Sequence, residues 1–167
     1  MRGPITWLGT AAVSAFLIVA AVAYGAEKKI LLADVPKPVM DAVKARFKDA
    51  VMTDATKEET DDGKVVYEVS LTVKGKTIDV LLAPEGKILV FAKVIVAKDL
   101  PKPVAKILEK NYPKATYKCL EQVFNVENGK EKLDFYEALL VTAEKEDLEV
   151  HVTADGEILI ERVADPE

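Results

Sequence analysis

Intramolecular disulfides are excluded at once, because the 167-residue chain has one cysteine, Cys119. Its neighbours Tyr117, Leu120 and Val123 read as a strand, so Cys119 reads as a small apolar residue of the interior. Histidine is equally scarce: His151 is the only one. A nucleophilic cysteine needs a base, and zinc centres draw on sets of Cys, His and carboxylate ligands. His151 with Glu149 supplies two ligands at best. Downstream of the N-terminal apolar stretch there is one serine, Ser70, with no nucleophile elbow around it. No Gly-rich phosphate loop appears. Asp61-Asp62-Gly63 lacks the alternate-position ligands of a calcium loop. Carboxylate pairs are plentiful, but in an acidic chain they say nothing about glycosidase chemistry. No catalytic residue, cofactor or metal ligand is therefore assigned, and the chain is expected not to be an enzyme. Basic runs are also missing. With a net charge of −5 the chain is a poor partner for nucleic acid, whose binding rests on neutralising phosphates.

What is present begins with a targeting segment. Arg2 gives a positive start, no further charge occurs before Glu27, and Ala11 to Ala23 is the most apolar stretch. Ala23-Tyr24-Gly25 places small residues at the two positions a signal peptidase inspects, so residues 1–25 read as a signal peptide cleaved after Gly25. Loss of Arg2 would take the net charge from −5 to −6. The alternative is an uncleaved membrane anchor, since the uncharged stretch is just long enough to span a bilayer. Either way the remainder is expected in the periplasm or secreted. Glu58, Glu59, Asp61, Asp62, Glu144, Glu146 and Asp147 gather near turns and read as a solvated rim.

The chain repeats itself. Asp34-Val35-Pro36-Lys37-Pro38-Val39 returns as Asp99-Leu100-Pro101-Lys102-Pro103-Val104, an offset of 65. Tyr67-Glu68 returns as Tyr136-Glu137, and Glu85-Gly86-Lys87-Ile88-Leu89 as Asp155-Gly156-Glu157-Ile158-Leu159. Three collinear matches read as a tandem duplication, with units at 30–96 and 97–164.

Each unit is expected to open with a helix whose two prolines sit in the first turn, where the missing N–H is harmless. Asp34 and Asp99 stand where a carboxylate can cap it. Val39, Val43 and Phe47, then Val104, Leu108 and Tyr112, recur at helical spacing as core stripes. The rest of each unit alternates like antiparallel strands. Val65, Tyr67, Val69, Leu71 and Val73 share one face; Ile78, Val80 and Leu82 continue it, echoed by Leu148, Val150 and Val152. Asp62-Gly63, Lys74-Gly75, Glu85-Gly86, Asn128-Gly129 and Asp155-Gly156 suit hairpins. The expected class is α+β: two tandem repeats of one helix plus about four antiparallel strands, the helices packed on one face of a shared sheet.

The proline-started helix with an aromatic near its end (Phe47; Tyr112-Pro113), Tyr67-Glu68-Val69 and Tyr136-Glu137-Ala138, and the Gly86 and Gly156 hairpins together resemble the PepSY-like domains grouped with the beta-lactamase-inhibitor protein fold. The resemblance spans nearly all of residues 30–163. It implies an exported bacterial protein that binds or restrains another protein. Beta-lactamase inhibition itself does not carry over, because that inhibitor has a disulfide in each repeat.

If helices cover the face bearing Tyr67 and Val69, the other face carries Glu68, Asp79 and Leu81, with Phe135, Glu137, Leu139, Val141, Glu149 and His151. Phe135, Leu139 and Val141 are too apolar for a purely solvated surface; they meet either the other unit, a loop or a second copy of the chain, or a partner protein. These nine residues are the candidate partner-binding face, with His151 expected to be partly exposed. The function expected is a non-catalytic, inhibitor-like or protein-binding module of the envelope whose partner is an envelope or secreted protein. Self-association would use the same face. The alternative is a structural or sensory envelope component anchored by its N-terminal helix.

Overall fold

Alternation at period two dominates this chain, and in the computed structural model it becomes one continuous antiparallel sheet. The structure describes residues 28–60 and 62–164; the expected signal segment 1–25 and Asp61 lie outside them. Strands β1 (Lys28–Lys29), β2 (Val51–Glu59), β3 (Val65–Val73), β4 (Lys76–Leu82) and β5 (Ile88–Val94) precede β6 (Thr116–Glu127), β7 (Lys130–Val141), β8 (Asp147–Val152) and β9 (Ile158–Val163). They pair in chain order across nine strands. Two ten-residue helices, α1 (Lys37–Arg46) and α2 (Lys102–Asn111), interrupt the run of strands. Among the described residues no helix is long and apolar enough to cross a membrane.

This corrects the expected class. Over the described residues the protein is mostly β, one nine-stranded sheet carrying two short helices, rather than an α+β pair of repeats of helix plus four strands. The physical reason lies in the ladder. β6 and β7 run to twelve residues each, and β5 pairs with β6 from Val90↔Asn125 to Val94↔Glu121 without a register shift. The sheet is thus unbroken across the middle of the chain.

The capping expectation is corrected too. Pro36 and Pro101 occupy the N-cap positions, and neither makes a side-chain cap bond. Asp34 and Asp99 instead end short 3₁₀ turns at Leu32–Asp34 and Ala97–Asp99. Proline tolerates the first turn because no intrahelical donor is lost there.

Both helices bury their stripes on one sheet face. Val39, Val43 and Phe47 pack with Val69, Leu71, Val80, Leu82 and Phe91. Val104 and Leu108 pack with Leu120, Tyr136, Ala138, Leu140, Val150 and Val152. Each such side chain fully removed from water contributes about 1.5–3 kcal/mol. The first cluster extends across the β5–β6 seam, where Phe91 stacks on Phe124 at 4.9 Å and Phe47 meets Phe91 edge-on at 6.0 Å. Lys93 Nζ lies 4.8 and 4.7 Å from the centroids of the Phe91 and Phe124 rings. Arg46 at the end of α1 donates through Nε to Glu131 Oε1 at 2.7 Å, joining that helix to the β6–β7 hairpin. A cavity of about 290 Å³ lies beside this pair, lined by Phe91, Val126 and Lys87 as well as by Arg46 and Glu131, which pair with each other.

Two glycines hold hairpins under the helix starts. Gly86 and Gly156 have φ of 87° and 89°. A Cβ on Gly86 would stand 2.5 Å from the Pro38 carbonyl oxygen, and one on Gly156 2.9 Å from that of Pro103. Gly75 also has positive φ but nothing within 4 Å. Gly86→Ala should therefore lose about 2 kcal/mol or more of stability, through left-handed strain and collision with the helix, whereas Gly75→Ala meets only the strain. Urea unfolding of the two variants checks this; equal losses would remove the contact between hairpin and helix from the account.

Candidate functional site

The face away from the helices is built by the alternate residues of β3 to β9, which the pleat turns to the opposite side. It has an apolar patch of Val66, Leu81, Val90, Ala92, Val123 and Phe135. Around it stand the carboxyl side chains of Glu68, Asp79, Glu121, Glu137 and Glu149, together with Ser70 and His151, all buried. Pairing registers set their neighbours: Ser70 opposite Asp79, Glu121 opposite Glu137, Glu137 opposite His151, and Glu149 opposite Arg162.

All nine residues singled out from sequence fall on this face. Glu68, Asp79, Leu81, Phe135, Glu137, Glu149 and His151 are buried, while Leu139 and Val141 are half-buried. The expected partial exposure of His151 is corrected: it is 1% exposed. The ring of Phe135 stacks flat on it, 4.2 Å between centroids and 13° between planes. Glu121 and Arg162 were not legible as site residues. Glu121 lies on a strand with register shifts on either side of it, between Tyr117 and Cys119 and between Val123 and Phe124, and Arg162 follows the short run Ile158–Glu161 of β9.

His151 Nε2 contacts Glu149 Oε1 at 2.6 Å and Glu137 Oε2 at 3.4 Å. Arg162 donates to the same Glu149 through Nε at 3.1 Å and Nη2 at 2.6 Å. Burial opposes a charged imidazole, but the carboxylates of Glu137 and Glu149 outweigh it and raise the His151 pKa to about 9. Burial likewise opposes the Glu149 carboxylate; His151 and Arg162 reverse that and hold its pKa below the ordinary value. Glu137 goes the other way, burial winning over its contact with His151. Glu121 is pushed well up by burial and then by Glu137 and Asp79. Burial lifts Asp79 to about 6, although Ser70 Oγ donates to its Oδ1 at 2.5 Å. Cys119 is pushed up to about 12 by burial and by Glu121, Glu137 and Asp79, which disfavours a thiolate. Ser70 and His151 share the face but belong to separate hydrogen-bond pairs, one with Asp79 and one with Glu149.

No protein-family model matches the chain, and no curated protein matches it either. Solved structures do. A protein of Bacteroides eggerthii assigned provisionally to the periplasm superposes with a TM-score of 0.63 at 13% identity, covering 77% of this chain and 88% of its own. A BLIP-like protein of Bacteroides fragilis gives 0.59 at 13% identity, over 79% and 89% of the two chains. A DUF2874 family protein of Bacteroides uniformis gives 0.62 at 14%, over 77% and 88%. The fold is beta-lactamase-inhibitor-like. At such identities the likeness extends to the fold alone, and the chemistry of the face is this chain's own.

Two expectations follow from the ionisations. Asp79 binds its proton more tightly in the fold than its ordinary pKa of 3.8 allows, so that contribution is present below about pH 3.8 and lost as pH rises through about 6. Asp79→Asn should melt higher than the parent at pH 7.5, by on the order of 2 kcal/mol, and about equal to it at pH 3.5; a variant no more stable at pH 7.5 contradicts the burial cost. His151 has the same sign at higher pH: its stabilisation is full below pH 6.5 and lost through about 9. His151→Ala should lose about 3 kcal/mol or more at pH 6, because a buried charged pair is broken, and less at pH 9.5. Thermal melts at the two pH values measure the difference.

Proposed function

We propose that this chain is an exported, non-catalytic binding module of the bacterial envelope, which docks a basic, partly apolar segment of another protein against the face away from the helices. One observation carries the reading. Asp79, Glu121 and Glu137 are buried on that face with pKa values raised by burial, so each disfavours the folded state at neutral pH. A sheet that needed only a core would place apolar residues there. Carboxyl groups kept at such a cost suit a site whose charge is completed by a ligand. The apolar patch and the carboxyl groups around it are buried in the free chain, so a cationic partner meets this face at its margin and is drawn there by their charge. Half-buried Leu139 and Val141, and Arg162 with its side chain 32% exposed, form its accessible margin.

The fold shared with a BLIP-like protein, the resemblance to PepSY-like domains and the apolar N-terminal stretch support the same reading. The expected partner is an envelope protein, and the expected location is the periplasm.

The test places a photo-crosslinking residue at Leu139 in the native host. One predominant adduct in the envelope fraction is expected, and the purified adduct partner should bind at least tenfold more weakly to Asp79→Asn or Glu137→Gln than to the parent. Its affinity should rise between pH 5 and 7 as Asp79 loses its proton. Unaltered binding by both variants, which keep side-chain shape, would remove the face from the proposal. Intact mass of the native protein separates an exported, cleaved chain from an anchored one.

A further inference from the structure

Three donor atoms on this face converge on a point that one proton cannot serve. Glu137, Glu149 and His151 each bring one ligand atom to within 4.8 Å of the other two, and all three residues are buried. An imidazole Nε2 carries at most one hydrogen. Its 2.6 Å contact is with Glu149 Oε1. Glu137 Oε2, 3.4 Å from the same nitrogen, accepts no hydrogen bond, and Glu137 is only 5% exposed. A buried carboxylate oxygen without a donor is costly.

We infer that Glu137, Glu149 and His151 form a binding site for one divalent transition-metal cation of the zinc class. A cation on the Nε2 lone pair satisfies both carboxylates together, where a proton satisfies one. The distances fit: ligand bonds of about 2.0–2.2 Å in a tetrahedral zinc site set neighbouring donors about 3.4 Å apart. The His151–Glu137 separation has that length already, and the His151–Glu149 contact would open by about 0.8 Å. Two carboxylates neutralise a divalent charge. The surroundings also hold the donors in place, as outer groups do around metal sites. Phe135 fixes the plane of the imidazole by stacking on it. Arg162 Nε holds Glu149 Oε2, leaving Oε1 turned to His151; the Nη2 contact to Oε1 is the one a cation displaces. Directly across the ladder from Glu137, Glu121 presents a second buried carboxyl oxygen that accepts no hydrogen bond. One imidazole nitrogen with two carboxylates suits zinc over calcium, which takes six to eight oxygens. This goes beyond the docking reading and does not rest on it.

His151 is the only histidine, so its ring protons are a single reporter in the untagged protein. The chelator-stripped chain would be titrated with zinc chloride by calorimetry, and the His151 ring followed by proton NMR during addition of cobalt chloride. Binding of one zinc per chain is expected, weakened about 10–100-fold or more in Glu137→Gln and His151→Gln. The ring resonances should shift or broaden before one equivalent of cobalt, with calcium leaving them in place. Circular dichroism establishes that each variant is folded; should one fail to fold, the ring signal of the parent decides alone. No heat with zinc together with unmoved ring resonances through several equivalents of cobalt overturns the inference. So do folded variants that bind zinc as tightly as the parent.

Discussion

Every feature of this protein depends on one unbroken antiparallel ladder, and within it on the pairing of β5 with β6. That pair keeps its register over five residues and is held on the helix side by the stack of Phe91 on Phe124. Cross-strand aromatic pairs of this kind contribute a few tenths to about 1 kcal/mol beyond their burial. Because the pleat repeats every two residues, keeping register across nine strands also keeps two chemistries apart. One side is nearly all apolar and accepts both helices. The other collects the carboxylates, the histidine and the arginine. A slip of one residue at the seam would put Glu121 and Glu137 under α2, where nothing could compensate them.

The second face illustrates how burial and pairing compete. Where cations stand nearby, as Arg162 and His151 do beside Glu149, ionisation survives burial and the group stays charged. Where only other carboxyls stand nearby, as at Glu121, burial and mutual repulsion act in the same direction and raise the pKa together. The outcome is a gradient across one sheet face, from the Asp79 and Glu121 carboxyls, whose pKa values burial raises, to an ion-paired cluster at β8 and β9. This gradient connects the energetics of the fold with a role in recognising cations, whether on a protein surface or as a metal ion.

Much of the sheet was legible before any coordinates. The strand over Val65–Val73 has the bounds its alternation implies, and the hairpins at Lys74-Gly75 and Asn128-Gly129 fall at residues with positive φ. The division of Tyr67 from Glu68, and of Tyr136 from Glu137, follows from the same two-residue period. All nine candidate residues share a face for that reason. The helix caps were misjudged because an aspartate two residues before a proline satisfies a composition rule, whereas the chain uses it to close a 3₁₀ turn. The class was misjudged because helix signals weigh heavily in a short window, while the length of β6 and β7 is apparent only once they pair.

Local periodicity is thus what the amino-acid sequence determined: which residues are strands, where they turn and which side each side chain faces, all properties of a few neighbouring residues. Tertiary structure alone decided how deeply that second side is buried. His151 looks like an ordinary strand residue until Phe135 lies flat on it and Glu137, Glu149 and Arg162 arrive from three strands. Apart from Glu149, two residues away on the same strand, the groups that bury and pair His151 come from positions distant along the chain, so the local pattern did not state its burial.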